Sequence, residues 1–155
     1  MKRLLPYWWF KLGLAALFVL LAIQLVPYRV DNPSARDQPK WDSPRTQQLA
    51  MRACSACHSN QTHVLWFEHV APVSWYITNH VKEGRAALNF DTWSTNAGEG
   101  ADEPWEPLQD GSMPPIYYHY LGLHKDTKLT PAETKELIAG LKKTVAADPP
   151  ARGGG

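Results

Sequence analysis

The only two cysteines of the chain stand three residues apart, in RACSACHSN from Arg52 to Asn60, with a histidine directly after the second. No other feature constrains the fold so tightly. Thirteen prolines and ten glycines among 155 residues predict much loop and a thin protein core. A small domain with a thin core needs a staple. A disulfide between near neighbours is a poor one, because it closes too short a loop to restrain the unfolded chain. Seven tryptophans and six tyrosines indicate instead something large and flat for aromatic walls to pack against.

C-x-x-C-H has a specific chemistry. Two thiols at this spacing each add to a vinyl group of one haem, and the next imidazole reaches the iron. On this reading Cys54 and Cys57 hold one haem c covalently, and His58 is its proximal ligand. Three plainer readings compete. A redox dithiol uses C-x-x-C but in a βαβ context, and none is visible. A zinc site needs further thiols or imidazoles at finger spacing, and there is no second cysteine pair. A chance match is the third, since the pattern has two free positions.

Residues 1–28, MKRLLPYWWFKLGLAALFVLLAIQLVPY, contain a run from Leu12 to Val26 in which only Gln24 is polar. With Tyr7–Phe10 it reaches about 20 residues, roughly 30 Å as a helix, which predicts an uncleaved transmembrane anchor. A cleaved secretory signal is the competing reading. Basic residues flank both ends, so charge does not orient the span. Haem attachment outside the cytoplasm does, and it predicts a single-pass protein of the inner membrane with its haem domain on the periplasmic side. Residues 29–45 carry three prolines and little apolar content and read as a semi-extended linker. Residues 46–148 form the haem-binding domain, and 149–155 a flexible tail.

The fold class is all-α: a cytochrome c-like monohaem domain with long loops behind one N-terminal transmembrane helix. Ser43-Pro44 reads as an N-cap with proline at the first helical position, opening a helix to Cys57. A second helix is predicted from Pro72 to Leu88, weakened by Gly84. Thr130-Pro-Ala-Glu133 is a capping box, followed by an apolar stripe of Leu137, Ile138, Leu141 and Val145. Residues 90–116 read as loop. Sixteen Lys plus Arg against fifteen Asp plus Glu argue against nucleic acid or a polybasic lipid site.

For the sixth iron position, Met113 in GSMPP sits on a proline-stiffened loop that suits a thioether ligand. A methionine filling a loop gap is the plain alternative. His119 and His124 are rival ligands, and an open position is the third possibility. His63 and His69 lie too near the proximal side, and His80 reads as an ordinary helical histidine.

CSACHSNQTHVLWFEHVAPVSWYITNHVKEGRAALNFDTW, from Cys54 to Trp93, resembles the small haem-binding-domain family of c-type cytochromes. The shared marks are CHSN, APVSW, HV-x-x-GR and LNF-x-x-W. The stretch GSMPPIYYHYLGLHKDTKLTPAE, from Gly111 to Glu133, resembles that family's second half. The resemblance implies haem attachment at Cys54, Cys57 and His58 and a distal ligand at Met113. His124 matches a family position with no role assigned. Two departures are Val64–Phe67, where relatives often have Trp-Pro-Trp-Tyr, and residues 96–110, where relatives tend to carry a helix and this chain's glycines and prolines oppose one.

Haem propionates need partners, and Arg85 with the indole donors of Trp75 and Trp93 are the candidates. Residues 86–124 hold six acidic residues and no Lys or Arg, which would steer a basic partner if they border the haem edge. The expectation is a membrane-tethered electron carrier, not an enzyme. It would serve redox protein partners as a shuttle or as a subunit of a respiratory or photosynthetic complex. The alternatives are a haem enzyme or gas sensor with an open sixth position, and an accessory subunit with a structural haem.

Overall fold

The apolar N-terminal run forms α1 (Tyr7–Ile23) in the computed structural model, which describes residues 7–116, 118–119 and 124–152. Helix α1 stops at Ile23 because the chain finds other partners there. The Gln24 amide donates to Ala71 O at 3.1 Å and its carbonyl accepts from Ala71 N at 2.9 Å. Turn bonds from Gln24 N to Leu21 O and from Leu25 N to Ala22 O close the end, and Pro27 bars resumption. Its seventeen described residues rise about 26 Å, short of a hydrocarbon core of about 30 Å. No helix among the described residues is long and apolar enough to cross a membrane. This corrects the expected N-terminal transmembrane helix, and with it the expected single-pass inner-membrane placement. The first six residues of that stretch lie outside the described residues.

Six α-helices and no strand are present among the described residues. After α1 come α2 (Pro44–His58), α3 (Val73–Ala87), α4 (Trp93–Asn96), α5 (Glu106–Gln109) and α6 (Pro131–Ala147), with 3₁₀ turns at Trp66–His69 and Lys125–Thr127. The all-helical class agrees with the sequence. Two of these helices were not expected: residues 90–116 carry α4 and α5, one turn each. Pro107 does not prevent α5, because it falls in the first turn, where its missing N–H has no helical partner to lose.

The chain divides into two compact units. The first comprises residues 1–30 and 64–79. Besides the Gln24–Ala71 pair, Tyr28 Oη donates to Asn79 Oδ1, and the Arg29 guanidinium donates to His69 O. The apolar side chains of α1 are exposed from Tyr7 to Ala22, and Ile23 is half-buried.

The second unit comprises residues 31–63 and 80–155. Its core is Leu49 and Ala50 of α2, Leu88, Phe90, Trp93, Ala97, Ala101, and Leu137 and Leu141 of α6. Fully burying one such Leu or Phe contributes about 1.5–3 kcal/mol. Helix α2 begins as read, with Ser43 accepting from Thr46 N and Pro44 in the first turn. Helix α6 begins with the Thr130–Glu133 capping box. The two helices pack together, and Gly140 leaves no room for a side chain: a Cβ there would lie 2.0 Å from Thr46 Oγ1.

Residues 31–40, within the semi-extended linker expected at 29–45, are hydrogen-bonded along this unit. Asn32 exchanges two hydrogen bonds with the Thr62 backbone, at 2.8 and 3.0 Å. Asp37 N donates to Asp91 O, Trp93 N donates to Asp37 O, and Lys40 N donates to Asp148 Oδ2. Asp37 and Thr92 form an isolated parallel bridge.

Glu133 joins α6 to α2, accepting from Thr130 N at 2.9 Å and from Arg52 Nη2 at 2.8 Å. These two bonds hold its carboxyl well below the usual range, at about 2. A lowered folded pKa gives stability that is present above the unfolded value of 4.5 and lost as pH falls toward 2. The gap in melting temperature between wild type and Glu133→Gln is therefore expected to narrow from pH 5 to pH 2. A constant gap would show that ionisation of Glu133 contributes nothing.

Candidate functional site

Cys54, Cys57 and His58 occupy the last turn of α2, at i, i+3 and i+4, so they share one face. Neither cysteine is in a disulfide. Cys54 packs on the core. Burial, then the neighbouring Cys57 thiol, push its pKa up to about 12, so it stays a neutral thiol in the folded apoprotein.

His58 is held at three points. Its Nδ1 lies 2.8 Å from Gly84 O and 3.0 Å from Leu88 O. Carbonyls only accept, so Nδ1 carries the proton and donates to both. That fixes the tautomer: Nε2 keeps a bare lone pair, and no hydrogen bond engages it among the described residues. The third point is backbone, with Phe90 N donating to His58 O at 2.9 Å. Burial lowers the His58 pKa, against the raising effect of the Leu88 and Gly84 carbonyls. A neutral imidazole with an unencumbered Nε2 and an anchored Nδ1–H is what a metal ligand requires.

Gly84 makes this possible. A Cβ there would lie 2.8 Å from Cys57 O and 3.0 Å from Cys57 Cβ, so only glycine lets α3 come close enough for its carbonyl to reach the imidazole. The same residue reads from sequence only as a helix weakness.

The turn after His58 is tied down residue by residue. Ser59 Oγ donates to Ser55 O, and Thr62 Oγ1 donates to Ala56 O. Asn89 Nδ2 donates to Asn60 Oδ1 at 3.0 Å. Asp91, wholly buried, accepts from Asn60 N at 2.9 Å and from the Gln38 and Gln61 amides. Sequence reasoning missed Asn60, Thr62, Asn89 and Asp91 as supports. For Asn89 and Asp91 a signal was present in LNFD, where they alternate with Leu88 and Phe90; Asn60 and Thr62 sit in a polar stretch that singles out neither.

The other expected site residues fall in different places. The Arg85 guanidinium is engaged by protein acceptors. Trp93 is a core residue whose Nε1 donates to Asp148 O at 2.9 Å. Trp75 belongs to the first unit, and its buried Nε1 has no acceptor among the described residues. Met113 lies on the loop after α5, its N–H donating to Pro107 O at 2.9 Å and the residue 39 % exposed. It lines a cavity of about 390 Å³ together with Leu108, Leu129 and His119. His119 Nε2 is 3.2 Å from Thr127 Oγ1, whereas His124 stacks on the Tyr118 ring.

Among the described residues no three His, Cys, Asp or Glu side chains converge on one point. A single imidazole donor fits a metal whose other ligands come from a porphyrin. The residues present therefore fit haem: His58 as an axial donor beside two thiols on the same helix face. Comparisons with curated proteins and with solved structures find no match. The family model described as Haem-binding domain matches residues 18–143. The chain thus belongs to the haem-binding domain family, and its cofactor is haem.

Proposed function

We propose that the chain is a monohaem c-type cytochrome that carries single electrons between redox proteins. The observation that carries this reading is the state of His58, whose Nδ1–H is spent on two carbonyls while Nε2 is left to coordinate, one helical turn from Cys54. Each thiol adds its S–H across one vinyl group, forming a carbon–sulfur bond and leaving the hydrogen on the other vinyl carbon. Haem bound in this way supplies a metal-centred one-electron couple.

The chain's own residues set the properties of that couple. Gly84 and Leu88 hold the imidazole at one orientation, so no ring movement accompanies a change of charge. Their hydrogen bonds to Nδ1–H also raise the basicity of the ligand. Met113 would hold the iron from the other side as a thioether, which would raise the potential relative to a second histidine. Basic redox proteins are the proposed partners, drawn to the acidic residues Glu99, Asp102, Glu103, Glu106 and Asp110.

One observation favours a second reading of the distal side: Met113 shares its cavity with His119. Magnetic circular dichroism of the ferric protein separates the two. Wild type is expected to show the methionine–iron charge-transfer band, and Met113→Ala to lose it with a potential lower by 100 mV or more, on the order of the span axial ligands control. If His119→Ala instead changes the low-spin spectrum and Met113→Ala does not, the distal assignment moves to His119. Rapid carbon monoxide binding by the native ferrous form would mean an open position and a different function.

A further inference from the structure

We propose that Arg85 is a positioning residue for the His58 ligand, acting through the turn Ser59–Thr62 without touching the haem. The proposal rests on the reading of His58 as an iron ligand.

A guanidinium has five N–H donors in a rigid fork. In Arg85 Nε donates to Ser59 O at 2.8 Å. Nη1 donates to Asp31 O at 2.9 Å and lies 3.4 Å from Asp31 Oδ1. Nη2 donates to Asn32 Oδ1 at 3.0 Å and to Thr62 Oγ1 at 3.1 Å. The protein thus presents as many acceptors as the fork has hydrogens, and the side chain is only 12 % exposed. A propionate would have to displace one of these partners.

The placement of the fork is what gives it a role. Arg85 follows Gly84, whose carbonyl holds His58 Nδ1, and its side chain grips the carbonyl of Ser59, which follows His58. Two consecutive residues of α3 therefore hold two consecutive residues at the end of α2, one through backbone and one through side chain. The far end of the fork is fixed by Asp31 and Asn32, and Asn32 itself pairs with the Thr62 backbone. The segment before α2 is thereby part of the ligand's support.

The test uses the full haem-loaded chain with Arg85→Gln, Arg85→Lys and, as a control at the α6 cap, Glu133→Gln. Intact mass, the electron paramagnetic resonance of the ferric haem and the reduction potential are measured well below the melting temperature. Both Arg85 variants are expected to keep the haem but to shift or broaden the highest g value and to shift the potential. Lysine is expected to rescue neither, because a point charge cannot serve a fork of acceptors. Glu133→Gln is expected to leave both readings unchanged.

Rescue by lysine would overturn the proposal, because it would mean that Arg85 acts by its charge on the haem. Unchanged g values and potential in both variants, with only a lower melting temperature, would also overturn it. Should Arg85→Gln fail to fold, Asn32→Ala cuts the other end of the network and is read by the same criteria. Wild type with haem but with a spectrum indifferent to His58→Ala would sink the ligand reading itself, a result distinct from failure at Arg85.

Discussion

Replacing His58 by alanine is expected to leave the haem on Cys54 and Cys57 while abolishing the six-coordinate low-spin spectrum. The reason lies in how much of the structure serves one nitrogen. Both carbonyls that meet the imidazole bind Nδ1, and none of the described groups competes for Nε2. Gly84 O reaches Nδ1 only because residue 84 has no side chain to strike Cys57. Alanine would remove the proposed axial donor and leave Gly84 O with its bond from Leu88 N, so the α3 end keeps a partner. The fold should therefore survive the loss. Added imidazole, filling the space vacated by the side chain, is expected to restore the low-spin spectrum. An unchanged spectrum in His58→Ala would mean that the histidine only braces α2 against α3.

The second large effect concerns the contact that sets α2 against α6. A methyl group at position 140 would lie 2.0 Å from Thr46 Oγ1, 2.7 Å from its Cγ2 and 2.9 Å from its Cβ. Thr46 is 2 % exposed, and its Cβ cannot rotate away. Overpacking of this kind costs about 1–3 kcal/mol. The helix propensity of alanine over glycine returns about 1 kcal/mol. The clash outweighs the gain over most of that range, so Gly140→Ala is expected to destabilise by up to about 2 kcal/mol in denaturant unfolding. Thr46→Ala removes the two worst contacts, so the double variant should be more stable than the sum of the singles predicts. Strict additivity would show that the helices slide apart at little cost.

Much of the fold was legible because it rests on local chemistry. Ser43-Pro44 and Thr130-Pro131 with Glu133 marked two helix starts, since a side-chain cap and an N-terminal proline are satisfied within four residues. The stripe through Leu137 and Leu141 marked the buried face of α6. What failed to show in the sequence is tertiary. Nothing local says that Gln24 pairs with Ala71 and ends α1 at 17 residues. Nothing local says that Asn32 and Asp37 lie along the domain, because their partners Thr62 and Ser94 are far away in the chain. Half of the proposed site stands out in the sequence, because thiol and imidazole chemistry singles out Cys54, Cys57 and His58. The carbonyls of Gly84 and Leu88 do not, since every residue has one and only the fold selects which is used.

The account depends most on the bond between chain and cofactor. Mass spectrometry of the mature protein, denatured and stripped of loosely held groups, tests it most directly. The account predicts a polypeptide heavier by one haem, and a chain of bare amino-acid mass in the variant with both Cys54 and Cys57 replaced by serine. A wild-type chain that loses its haem on denaturation would contradict it.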